Sequence, residues 1–246
     1  MTTLSQLIYD LWMVQSPDIS DDSIVDERVI KFWIHNQRAL WLRNDFNKNR
    51  EIDDNVIQDL GAVPVIIDDR VWDNSYIQDK KILRTNVKIP VTIERYDGPT
   101  LTRIGALDIG IRPFKLIDYT RLPFVGNGKF NKLEIFTFLL NGYIYIVSHK
   151  DNPITKVIKY INVRGVFENP EEVSTFNTLN GTPCYTDKSP YPVNKWMIEY
   201  MKDAIIKADL RYYMSPNGMD LTNDASPIEG NNSQPKPAIS NVQEAQ

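Results

Sequence analysis

A single cysteine, Cys184, stands in 246 residues. No internal disulfide can be drawn, and synthesis in a reducing compartment is expected. Only two histidines, His35 and His149, accompany it, too few for a Cys/His zinc site within one chain. No apolar run reaches the roughly 18 residues that a bilayer-crossing helix needs. The opening stretch MTTLSQLIYDLWMVQ has neither a basic segment nor a small-residue cleavage site, so no secretory leader is expected there. Basic charge is scarce as well: 28 Lys and Arg against 32 Asp and Glu leave a net charge of −4. That balance offers no electrostatic footprint for gripping nucleic acid. Walker loops, nucleophile elbows, zinc-protease helices and internal repeats are missing too. Membrane spans, disulfide scaffolds, zinc modules and strongly basic DNA binders are thereby set aside.

What is present reads as a folded α+β chain, since 42% of its residues are hydrophobic and 24% charged. Leu4, Leu7, Ile8 and Leu11 repeat at helical spacing behind a Thr3/Gln6 capping box, and Ser16-Pro17 ends that helix. A longer helix is predicted from about Asp22 to Asn44, acidic at its start and basic at its end. Its stripe, formed by Ile30, Trp33, Ile34, Gln37 and Trp41 and broadened by Val29, Phe32 and Leu40, is wider than one partner helix covers. It is expected to touch the first helix and also the β body or a neighbouring chain. The pair is expected to form an N-terminal helical hairpin over residues 1–48.

A β-rich body, expected to be antiparallel, follows over residues 60–190. Val63–Ile67, Ile82–Ile93 and Thr155–Val163 read as strands. Asn141-Gly142 between two apolar runs predicts a hairpin over residues 133–148. Asn169-Pro170 opens a short helix, and Asn194 is predicted to cap a C-terminal helix within 191–213. From Met214 to Gln246 prolines and small polar residues dominate, which predicts an extended arm that cannot fold alone.

Chemistry-bearing patterns are weak. Asp45-x-Asn47-x-Asn49-x-Glu51 begins like a calcium loop, but Arg50 replaces the turn glycine and Val56 the closing glutamate. Asp53-Asp54 and Asp68-Asp69 could serve an ion or a hydrolytic step, although neighbouring carboxylates on a strand diverge. Gly126-Asn127-Gly128-Lys129 lacks the context of a phosphate cradle and reads as a turn. Lys80, Lys81, Arg84 and Lys88 form one basic cluster, read as a solvated sheet edge. No catalytic, cofactor or metal residue is assigned.

Several blocks, taken in order, resemble a known family. They are Ile30–Ala39, Thr102–Asp108, Arg112-Pro113-Phe114, Lys129–Asn131, Tyr143–Val147, Tyr160–Glu168, Tyr191-Pro192 and Asn223–Ala225. Together, from Leu4 to Ala225, they resemble a virion structural protein of crAss-like phages. The resemblance implies a ring subunit of the head-to-tail connector below the portal, and no enzymatic activity. It further implies a cyclic, dodecameric assembly with itself, contacts with the portal and other neck or tail rings, and passage of genomic DNA without specific binding. The bore is then expected to be acidic or neutral, with the basic cluster turned away from the DNA. Residence would be the virion, after synthesis in the host bacterial cytoplasm. Trp33, Ile34, Trp41, Leu221 and Ile228 are the expected subunit-interface residues. The competing readings are a soluble phage hydrolase using the aspartates and a receptor- or glycan-binding module displaying Trp72 and Tyr76.

Overall fold

The computed structural model describes residues 2–15, 25–48, 51–68, 80–125, 131, 133–149, 152 and 157–210. Asp69, Trp72, Tyr76, the Gly126–Lys129 turn and the arm with Leu221 and Ile228 lie outside the described residues, as does the Ser16-Pro17 stop.

Helix α1 (Leu4–Gln15) starts on the capping box. Thr3 N–H donates to Gln6 Oε1 at 3.0 Å and Gln6 N–H donates to Thr3 Oγ1 at 3.3 Å. Helix α2 is Glu27–Lys48, so it runs past Asn44, the expected end. Buried Phe46 explains the extra turn, because it joins the helical core only if the helix continues. Asp45 and Asn47 are therefore helical, and no calcium loop can begin there.

The strands are β1 (Gln58–Asp59), β2 (Val63–Ile67), β3 (Lys80–Thr85), β4 (Glu94–Arg95) and β5 (Gly98–Pro99). They continue with β6 (Leu101–Ala106), β7 (Lys115–Leu116), β8 (Ile135–Leu140), β9 (Tyr143–His149) and β10 (Tyr160–Gly165). β10 lies between β6 on one side and β1 followed by β2 on the other, and the sheet proceeds through β3, β9 and β8 to β7. The pairs are antiparallel except β7 with β8, which is parallel. β4 and β5 make a separate small hairpin.

Two backbone bonds curl this sheet onto itself. Phe114 N–H donates to the Ile104 carbonyl in β6 at 2.7 Å, and Ile117 N–H donates to the Thr137 carbonyl in β8 at 2.8 Å. The one segment Phe114–Ile117 thus touches both ends of the strand order. Alternation then sorts the side chains. Ile104, Ile144, Ile146, Ile161 and Val163 fill the inside. Ile82, Phe138, Tyr145 and Val147 form a second cluster on the opposite face, packed by Ile117 and Leu122. The Phe138 and Tyr145 rings stack there at 5.0 Å.

Some expectations hold and others do not. The hairpin turns at Asn141 and Gly142, with φ of 53° and 80°, and β8 and β9 follow from it. The run Ile82–Ile93 does not stay a strand: β3 ends at Thr85 and the chain bends at Asn86-Val87 before Pro90. β3 is no edge either, because β2 and β9 flank it. Its basic residues cannot be edge protection, and Arg84 instead lies 4.9 Å from the Tyr143 ring centroid. Asn169 does cap, accepting from Glu171 N–H at 3.0 Å, but the helix it opens is 3₁₀, Pro170–Thr175. Asn194 precedes α3 (Lys195–Ala204) without a side-chain cap bond, and α3 continues as a π-helical stretch, Ile205–Leu210.

α1, α2 and α3 share one apolar core with Ile93 and Val166 from the sheet side. Where β1 hands over to β2, Gly61 adopts φ +65°, and a Cβ there would fall 2.7 Å from Cys184 Sγ and 2.8 Å from the Asn177 carbonyl oxygen. Both features demand glycine. Gly61→Ala is expected to destabilise the fold by about 2–4 kcal/mol, from positive φ and overpacking together. Urea unfolding measures it. Adding Cys184→Ala should recover only part, since the Asn177 carbonyl is backbone and stays.

Candidate functional site

The helical layer meets the sheet at a fully buried cation. Arg38, on the inner face of α2, is 0% exposed. Its Nε donates to the Pro192 carbonyl at 2.7 Å, and its Nη1 donates to the carbonyls of Phe167 at 2.7 Å and Glu168 at 3.4 Å. The guanidinium carbon lies 5.7 Å from the Tyr191 ring centroid. Burial pulls the Arg38 pKa down from its usual value, yet an arginine of this kind keeps its proton.

Polar groups continue outward from it. His35 Nδ1 and the Tyr191 hydroxyl are 2.9 Å apart. His35 Nε2 is 3.6 Å from Glu171 Oε2, and Lys31 Nζ is 3.5 Å from Glu171 Oε1. Burial lowers the His35 pKa below 6.5, outweighing the pull of Glu171, and Arg38 lowers it further. Burial likewise pushes the Tyr191 hydroxyl up, and Tyr185 up to about 12. All three stay neutral at pH 7.

Beside this junction lies a cleft of about 740 Å³ bordered by Asp59, Cys184, Tyr185, Tyr191 and Lys195. Its potential nucleophile is suppressed, because burial and then Asp59 push the Cys184 thiol up, away from the reactive thiolate. Asp59 is occupied as well, accepting from Arg164 Nε and Asn162 Nδ2 at 2.7 and 2.6 Å. Two of the expected aspartates, Asp53 and Asp68, are structural in the same sense. Asp53 accepts from Asn55 N–H at 3.0 Å as a turn cap. Asp68, 3% exposed, stands 3.7 Å from Arg84. Among the described residues no group of three or more His, Cys, Asp or Glu could hold a metal ion.

The expected interface residues part company. Trp33 and Ile34 are 7% and 1% exposed and belong to the core within one chain. Trp41 is half-buried, its ring 5.6 Å from Tyr200. The exposed residues of the α2 stripe are Phe32 (65%) and Leu40 (52%). They border a groove of about 340 Å³ with Ala39, Arg43 and Glu168. Sequence reasoning passed over another exposed apolar point, Ile109 and Ile111 in the loop after β6. Their flanking Asp108 and Arg112 lay inside the blocks of resemblance, which was the one available signal.

A family model described as phage tail ring protein 2, of crAss-like phages, matches residues 6–232. The chain belongs to this ring protein family. It is therefore a phage structural protein and a virion component, of a kind that assembles as a ring. No curated protein matches the sequence. No described helix is long and apolar enough to cross a membrane. In this ring protein three of the resembling blocks, Ile30–Ala39, Tyr160–Glu168 and Tyr191-Pro192, converge on Arg38.

Two outcomes follow from the junction. Arg38→Ala strands buried carbonyls and is expected to cost about 3–5 kcal/mol in denaturant unfolding, with Arg38→Lys restoring less than half. The native state disfavours His35 protonation, so the unfolded chain binds the extra proton just below pH 6.5. Stability should be full above pH 6.5 and fall as pH drops toward the depressed native value. Melting temperatures across pH 5 to 8 should show that slope, and His35→Gln should flatten it.

Proposed function

We propose that this chain forms a closed ring in the head-to-tail connector below the portal, as a scaffold with no catalytic role. The family match over residues 6–232 carries this reading. The local chemistry supports it, since Cys184 is held from its reactive form and Asp53, Asp59 and Asp68 are spent on a cap and ion pairs. So does the placement of exposed apolar residues on elements that the fold already holds rigid.

In this role twelve copies surround the path of the genome, and neighbouring neck or tail rings and the portal stack above and below. DNA passes without specific binding, as a chain with net charge −4 favours. Trp41 and the segment carrying Leu221 and Ile228 contribute to contacts between subunits, and Trp33 and Ile34 support them from beneath. The subunit is synthesised in the host cytoplasm, where its lone thiol stays reduced.

Electron microscopy of intact particles, with mass spectrometry for copy number, tests the proposal. The expected result is a ring of this chain between portal and tail, at the copy number of its symmetry. A chain absent from particles, or scattered over the capsid, would sink it.

A further inference from the structure

We infer that the loop after β6 is a preformed knob that docks in the α2 groove of an adjacent copy, making the ring contact head-to-tail. The inference rests on the ring reading above and names the surfaces that close it.

The loop is held rigid from below. Arg103 Nη2 donates to the carbonyls of Ile109 and Ile111, each at 3.0 Å, and Asp108 Oδ1 accepts from Gly110 N–H at 2.8 Å. Ile111 N–H donates to the Asp108 carbonyl at 3.2 Å. This web holds out two isoleucines that are 59% and 44% exposed. Fixing an exposed apolar tip in advance lowers the ordering cost of a later contact.

The groove suits it in chemistry. Phe32, Ala39 and Leu40 supply an apolar floor, with Arg43 and Glu168 paired at 3.3 Å beside it. The loop carries one carboxylate and one guanidinium around its isoleucines, Asp108 and Arg112, both exposed. Docking sets Asp108 toward Arg43 and Arg112 toward Glu168, so each charge meets its opposite.

The decisive point is position. β6 begins at the helical layer, where Thr100 bonds Ile93 and Val166 through the backbone. Its far end, Ala106, pairs with Ile161 at the other end of β10. Five strand steps of about 3.4 Å separate the two ends by roughly 17 Å. Glu168 follows the near end of β10, whereas the knob follows the far end of β6. One chain therefore presents knob and groove at opposite ends, and they meet only between copies. Unlike patches repeated head-to-tail are what a closing ring requires.

Mixing two loss-of-surface variants tests this. One carries Ile109→Asp and Ile111→Asp; the other carries Phe32→Asp and Leu40→Asp. All four positions are exposed, so circular dichroism should match wild type. Native mass spectrometry should show each variant alone as a monomer where wild type forms a closed oligomer. Their equimolar mixture should give a one-to-one heterodimer, from the single knob and groove left intact. Wild-type rings that persist in either variant, or a mixture that stays monomeric, would overturn this inference and leave the ring reading standing. Variants that ring normally but lose another virion protein would assign the patch to that protein and overturn it too. A wild-type chain that forms no closed oligomer, free or recovered from particles, removes the ring reading itself.

Discussion

A positive charge sealed between two layers organises this subunit. Arg38 has no carboxylate within hydrogen-bond distance among its described partners; it is held by backbone oxygens and an aromatic face. Those oxygens belong to Phe167 and Glu168, just past the end of β10, and to Pro192, just before α3. All are places where chain leaves or enters a regular element, and a carbonyl there needs a donor from elsewhere. A guanidinium can serve several carbonyls at once, and no apolar side chain can. The charge is expensive to bury, but removing it would leave the oxygens buried and unpaired as well. Helix α2 is thereby fixed in register against both the sheet and α3.

The barrel-like sheet applies the same logic by backbone alone. Segment Phe114–Ile117 satisfies β6 on one side and β8 on the other. The segment thus lies between the two ends of the strand order, where unpaired edges would otherwise face each other. Closure also explains why β8 and β9 are apolar in both phases of their alternation, with Ile144 and Ile146 inside and Tyr145 and Val147 in the second cluster.

Features governed by local chemistry were legible in the sequence. The Thr3/Gln6 box, the Asn141-Gly142 turn and the Asn169-Pro170 start each rest on bonds or dihedrals within a few residues. Features governed by distant partners were not. The basic residues of β3 read as an edge because alternation cannot reveal how many neighbours a strand has. Lys115-Leu116 gave no strand signal, since two residues gain that state only from β8 beside them. The basic end of the long helix reads as dipole pairing alone, whereas the role of Arg38 depends on carbonyls more than 125 positions away, as the separations of 129 and 154 residues show. The wide stripe on α2 needs more cover than α1 gives, and α3 with Ile93 and Val166 from the sheet side supplies it. Trp33 is therefore internal, and the surplus sits on Phe32 and Leu40.

That surplus matters because assembly must overcome like charge. Each added copy brings a net −4 to its neighbours, and screening at physiological salt reaches only about 8 Å. Contacts between copies must therefore place opposite charges locally while the whole surface repels, and add apolar area that is indifferent to salt. Exposed apolar residues scattered singly are ordinary on any protein surface, so only their grouping in one groove and one loop tip carries meaning. In the knob-and-groove contact proposed above they would supply the attraction that net charge withholds, and the surrounding ion pairs would decide which patch meets which. The buried cation and the exposed apolar points are thus complementary requirements. The first keeps the helical layer and the sheet at a fixed angle, and only a fixed angle lets successive copies turn by the same amount until a ring closes.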